Sequence, residues 1–167
     1  MSRLSDPIIL AVDNDPHALS TAKSILNLHD FDVFAVTSAE SAVEIARQLE
    51  VDLIITDVRV NTLDGVELVS RIRALPDRSD VPAIFTSATQ RSDIIRRVHQ
   101  FGSAYHIKKP YKPNVLTELV DRALWMPHLV HEHLNQPHFS KPSKPLFPQV
   151  DIQALGEPFT PADGSFF

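Results

Sequence analysis

The chain alternates short apolar runs with longer stretches in which apolar side chains recur every three or four residues. Ile8 to Val12 is a near-continuous apolar run ending at Asp13, the pattern of a strand buried on both faces. Asp15-Pro16 then opens a helix: proline suits a first helical position, and Leu19, Ala22, Ile25 and Leu26 fall on one face. Phe31 to Val36 is a second strand, and Thr37-x-x-Glu40 offers a capping box for a helix that buries Ala42, Ile45, Ala46 and Leu49. Val51 to Thr56 is a third strand, apolar at its centre, delivering Asp57 to a sheet edge. After a loop, Val66, Val69 and Ile72 mark a helix that stops near Leu75-Pro76. Ala83 to Thr86 is a fourth strand, followed by Ser87 and a helix carrying Ile94, Ile95, Val98 and Phe101, closed by Gly102. Ala104 to Ile107 is a short fifth strand, and after Lys108-Lys109-Pro110 a last helix presents Leu116, Leu119, Val120 and Ala123.

Five strand-helix pairs therefore fill residues 7–126. Such alternation predicts an α/β fold, a flavodoxin-like doubly wound (βα)5 parallel sheet with strand order 2-1-3-4-5. From Pro127 the pattern stops: seven of the thirteen prolines and five of the nine phenylalanines lie in the last 41 residues. A short helix from Pro127 to Leu134 is compatible with this composition, but the later prolines oppose a packed element, so 127–167 is expected to be a largely irregular tail or linker after a domain at 1–126.

Composition narrows the function. The formal net charge is −5, which offers no polyanion-binding surface, so direct nucleic-acid binding is not expected. No apolar run approaches a membrane span and the N-terminus lacks the plan of a signal peptide, so the expected location is the cytoplasm, without membrane association. The absence of cysteine excludes disulfides and thiol catalysis and restricts any metal site to oxygen ligands and histidine.

In an open α/β sheet, ligands bind at the carboxyl ends of the strands where the order reverses. In the expected order that point carries Asp13 and Asp57, with Ser87 and Lys109 on the same edge. Taken singly, each has a plainer role: Asp13 as a helix cap, Ser87 as a turn residue, Lys109 as a solvated cation. Their joint placement says more. Adjacent carboxylates call for a cation, oxygen ligands suit Mg²⁺, and a lysine and a hydroxyl suit phosphoryl oxygens. Asp64 is the better cap for the third helix, because Asp57 lies eight residues before Gly65.

Asp13 after an apolar strand, Asp57 with Gly65 eight positions on, Ser87-Ala88, and Lys109-Pro110 together resemble the receiver domain of two-component response regulators of the chemotaxis-regulator type. The resemblance covers about residues 6–126. It implies that Asp57 accepts a phosphoryl group from a sensor histidine kinase or phosphotransfer protein, and that Asp13, Asp57 and the backbone carbonyl of Arg59 hold Mg²⁺. It further implies that Lys109 contacts the phosphoryl oxygens, that Ser87 moves inward to them, and that the Lys109-Pro110 bond is cis. Output would pass to a downstream protein by protein-protein contact, with homodimerisation as one route, and enzymatic activity would be confined to self-phosphotransfer and slow autodephosphorylation.

This chain departs from the family pattern at named positions. Asn14 stands where a second acid is usual, offering a neutral oxygen to a metal; Val60-Asn61 replaces Met-Pro; and the switch aromatic three positions before the lysine is His106, beside Tyr105. The guanidinium of Arg59 is placed to replace part of the metal's charge. Two other functions are compatible with parts of the pattern. One is a pseudo-receiver, a binding module that keeps the fold with weak or no phosphorylation because of Asn14. The other is a haloacid-dehalogenase-like phosphatase using Asp13 as nucleophile and Asp15 as acid/base, which leaves Asp57 unused and lacks later acidic ligands. His128, His131, His133 and His138 fit a solvated stretch better than a metal site, and Trp125 with Leu129, Val130 and Leu134 is either a cover for the last helix or a docking strip.

Overall fold

A computed structural model of the chain describes residues 6–89, 91–102 and 104–134, with side chains in the last helix described through Trp125. Its elements, in order, are β1 (Ile8–Val12), α1 (Pro16–Asn27), β2 (Asp32–Val36), α2 (Ala39–Gln48), β3 (Leu53–Asp57), β4 (Arg59–Val60), β5 (Leu63–Asp64), α3 (Gly65–Arg73), β6 (Ala83–Ser87), α4 (Ser92–Gln100), β7 (Ala104–Lys108) and α5 (Pro113–Leu134). The main sheet is parallel in the order β2-β1-β3-β6-β7, the predicted 2-1-3-4-5 arrangement once the short antiparallel pair β4-β5 is set aside.

Apolar runs without alternation produce this sheet because both of its faces are covered. Leu10, Val12, Ile54, Ala83 and Phe85 pack on the α2, α3 and α4 side, while Ile9, Ala11, Leu53, Ile55 and Ile84 pack on the α1 and α5 side. The helices present the predicted stripes: Leu19, Ala22 and Leu26 of α1, Ala42 and Ala46 of α2, Val69 and Ile72 of α3, and Leu116, Leu119, Val120 and Ala123 of α5 are buried. Arg73 ties the far end of the α3 side together. Its guanidinium donates to the carbonyls of Val81 (2.9 Å) and Gly102 (3.1 Å) and lies 4.6 Å from the centroid of Phe101.

Three details differ from the sequence pattern. The N-cap of α2 is Ser38, whose hydroxyl accepts from the Ser41 N–H at 3.2 Å, one position after the expected Thr37. Two adjacent hydroxyl residues have the same capping chemistry, and backbone conformation decides between them. The loop after Asp57 folds into the β4-β5 ladder, which pairs Arg59 with Asp64 and Val60 with Leu63. Finally, α5 runs as one helix through Pro127 instead of restarting there. A proline inside a helix forfeits one hydrogen bond and crowds the carbonyl four residues back, a local cost of about 3 kcal/mol.

Candidate functional site

The site lies at the carboxyl ends of β1 and β3, where the strand order reverses. Both strands deliver an aspartate there, and β7 leads into the lysine that meets them. Lys109 Nζ donates to Asp13 Oδ2 at 2.7 Å and to Asp57 Oδ2 at 2.6 Å. All three side chains are largely covered, with relative exposures of 22%, 10% and 17% for Lys109, Asp13 and Asp57. A shared ammonium lets two neighbouring carboxylates remain ionised. Burial alone would lower the Lys109 pKa, but the hydrogen bonds and charges of Asp13 and Asp57 outweigh it and hold the ammonium above the usual lysine range. The Lys109–Pro110 bond is cis, as the resemblance implies, and the Lys109 N–H donates to the Ser87 carbonyl at 2.7 Å.

Asp13 is not the helix cap. That role belongs to Asp15, whose Oδ1 accepts from His17 N–H at 2.9 Å, while Asp15's own N–H donates to Asp13 Oδ1 at 2.9 Å. Asp15 is thus turned to α1, a geometry that disfavours the acid/base role of the phosphatase reading. Asp64 caps α3 as expected, accepting from Val66 N–H at 2.8 Å, and its other oxygen pairs with Arg97 of α4 at 2.9 Å.

Gly65 explains the fixed interval after Asp57. A Cβ at Gly65 would overlap the backbone carbonyl oxygen of Asp57 and crowd the Val58 Cα, so only glycine lets α3 start against the end of β3. The Gly65 N–H closes the turn on the Val58 carbonyl at 2.9 Å.

The β3-α3 loop is held from across the crevice. Asp57 Oδ1 accepts from the Arg59 N–H at 2.8 Å; Asn14 Nδ2 donates to the Arg59 carbonyl at 3.1 Å, and Asn14 Oδ1 accepts from the Asn61 N–H at 2.7 Å. Asn61 has a left-handed backbone, φ 55°, which asparagine tolerates better than most residues. The predicted metal donors are all oxygen, the type a hard cation prefers, and each Asp13 and Asp57 oxygen accepts one hydrogen bond here and retains acceptor capacity. Asp13, Asp57 and the Arg59 carbonyl therefore fit Mg²⁺ in donor type. Asn14 does not present its oxygen to them: it faces the loop backbone. Among the described residues the ion pairs of the site run to Lys109 and not to the Arg59 guanidinium. Among the described residues, no three His, Cys, Asp or Glu side chains form a group able to hold a metal ion.

Ser87 ends β6 buried, with its hydroxyl 2.6 Å from the Thr89 carbonyl and 2.8 Å from His106 Nε2. A serine has one proton to donate, and the short contact to a carbonyl claims it, so the His106 Nε2–H donates to Ser87 Oγ. His106 is half-buried; burial first, then the nearby charge of His99, push its pKa below the ordinary histidine value. Tyr111 is a further neighbour that sequence reasoning missed. It packs on the α1 and α5 side, and burial, modified by the charges of Lys109 and Asp13, raises its pKa. Its place just after Lys109-Pro110 was the available signal. The sequence shows Asn61 only as a departure from the family pattern, because its backbone role depends on a loop shape that spacing does not encode.

Of the tail residues, the side chains of His128, His131 and His133 and all of His138 lie outside the described residues, as do Leu129, Val130 and Leu134 as side chains. Trp125 is 65% exposed. No helix among the described residues is long and apolar enough to cross a membrane.

Fold and site define a flavodoxin-like α/β protein with an acidic, lysine-bridged crevice at its topological switch point. The chain belongs to the response regulator receiver domain family, whose model matches residues 9–121. Among curated relatives, the transcriptional regulatory protein PrrA of Mycobacterium leprae is 34% identical over 121 residues, covering 71% of this chain and 49% of that protein. The two-component response regulator ORR5 of Oryza sativa subsp. japonica is 29% identical over 119 residues, covering 71% of this chain and 89% of the relative. The chain thus spans about half the length of PrrA. In fold, a CheY-like response regulator receiver domain protein from Methanospirillum hungatei superposes with a TM-score of 0.69 at 22% identity, covering 75% of this chain and 99% of the other. The chain is therefore a receiver of the two-component signalling class.

Proposed function

We propose that Asp57 is the phosphoacceptor of this receiver. An Asp57 carboxylate oxygen attacks the phosphorus of a phosphohistidine on a sensor kinase or phosphotransfer protein, the P–N bond breaks, and an acyl phosphate forms with the imidazole as leaving group. The observation that carries this reading is Lys109 bridging Asp13 and Asp57, which places a cation against the carboxylate that would bear the phosphoryl group. Mg²⁺, when bound by Asp13, Asp57 and the Arg59 carbonyl, would offset charge on the transferring group. Ser87 would exchange the Thr89 carbonyl for a phosphoryl oxygen, and because His106 is bonded to Ser87 the exchange would reach the β6-β7 edge. That edge, with α4 and α5, would carry output to a downstream protein as a population shift. We take 1–126 as the receiver unit and 127–167 as an appended segment.

A second reading, a pseudo-receiver with weak or no phosphorylation, is favoured by one observation, the engagement of Asn14 with the loop backbone. Beryllofluoride with Mg²⁺ separates the two. The phosphoacceptor reading expects amide resonances of the Asp57 to Asn61 loop, Ser87 and Lys109 to shift in the wild type and to stay still in Asp57→Ala. An unresponsive wild-type spectrum favours the pseudo-receiver.

A further inference from the structure

Asn14 is exposed, yet its side chain makes two hydrogen bonds to backbone groups 45 and 47 residues away. The orientation of its amide follows from those partners: the Arg59 carbonyl only accepts and the Asn61 N–H only donates, so Nδ2 must face the first and Oδ1 the second. Flipping the amide would break both bonds. We propose that Asn14 is a positioning residue that does a cation's structural work: its amide sets the β3-α3 loop without metal, and Mg²⁺ reaches the Arg59 carbonyl only in competition with it.

Four hydrogen bonds hold this loop. Asp57 Oδ1 holds the Arg59 N–H at 2.8 Å, Asn14 holds the Arg59 carbonyl at 3.1 Å and the Asn61 N–H at 2.7 Å, and Asn61 Nδ2 reaches the Thr37 carbonyl at 3.5 Å. The carboxylates, meanwhile, already share the charge of Lys109. Both tasks of a cation at this edge, bringing the Arg59 carbonyl toward the β1 end and offsetting two acids, are performed by side chains of the chain. A donor at position 14 is what makes this possible. In Asn14→Asp an acceptor oxygen would replace Nδ2 and face the Arg59 carbonyl oxygen, an arrangement that repels unless a cation lies between them.

The inference deepens the metal half of the phosphoacceptor reading, and its test uses no phosphoryl donor, so failure of either leaves the other measurable. Mg²⁺ is titrated by calorimetry into the full-length wild type, Asn14→Ala and Asn14→Asp, and amide hydrogen exchange at Asn61 is followed in chelator. The expected results are these: Asn14→Ala binds Mg²⁺ more tightly than the wild type, Asn14→Asp binds it about tenfold tighter or better as ligand charge increases, and Asn61 exchanges about tenfold faster in Asn14→Ala than in metal-free wild type. Equal Mg²⁺ binding by Asn14→Ala would remove the competition, weaker binding would make Asn14 a ligand, and either would overturn the proposal. Equal Asn61 exchange in the two metal-free proteins would overturn it as well.

Discussion

The Ser87 hydroxyl and His106 Nε2 lie 2.8 Å apart, so the residue at the end of β6 and the residue on the neighbouring edge strand are joined directly. With the Ser87 proton committed to Thr89, the histidine is the donor in this pair.

A pH dependence follows. The folded pKa of His106 is lowered from 6.5, chiefly by burial and then by His99, so below 6.5 the unfolded chain binds more protons than the folded one. Its contribution to stability is full above that value and is lost as pH falls toward the folded pKa. Urea unfolding at about pH 7.5 and about pH 5.5 should show a smaller drop for His106→Phe than for the wild type. An identical drop in both proteins would remove His106 as its source.

The two glycines of the folded unit should respond differently to alanine. At Gly102, φ is 76° and nothing lies within 4 Å of an added Cβ, so the cost is backbone strain alone, roughly 1 kcal/mol. At Gly65 the methyl meets the Asp57 backbone, an overpacking expected to cost about 1–3 kcal/mol and to displace the candidate phosphoacceptor. Chemical denaturation ranks the pair, and Gly65→Ala alone should impair modification of Asp57.

Lys109→Met removes the only ion-pair partner that Asp13 and Asp57 have among the described residues. The stability loss at neutral pH should be about 1.5–3 kcal/mol, the range for hydrogen bonds to charged groups, and Mg²⁺ should recover part of it. The sign at high pH is opposite to that for His106. Because the folded Lys109 pKa is raised above 10.5, its contribution is full below 10.5 and is lost as pH rises through the folded value. Alkaline unfolding curves of wild type and Lys109→Met should therefore converge.

Much of this arrangement was legible in the chain. The apolar runs Ile8–Val12 and Leu53-Ile54-Ile55 required cover on both faces, which dictated a parallel sheet and brought Asp13 and Asp57 to one edge. Other features left no periodic trace. A ladder of two-residue strands such as β4-β5 is too short to show alternation. The Ser38 cap differs from Thr37 only in backbone angles, and the direction of the Asn14 amide depends on a loop 45 residues away. Asparagine at that position was visible as a lost charge, whereas its gain of a donor required the fold.

Asp57 is proposed to carry the phosphoryl group. Full-length protein incubated with acetyl phosphate and Mg²⁺, read by intact mass, should gain the mass of one phosphoryl group in the wild type and none in Asp57→Ala. Equal gain in both proteins, or none in the wild type, would contradict it.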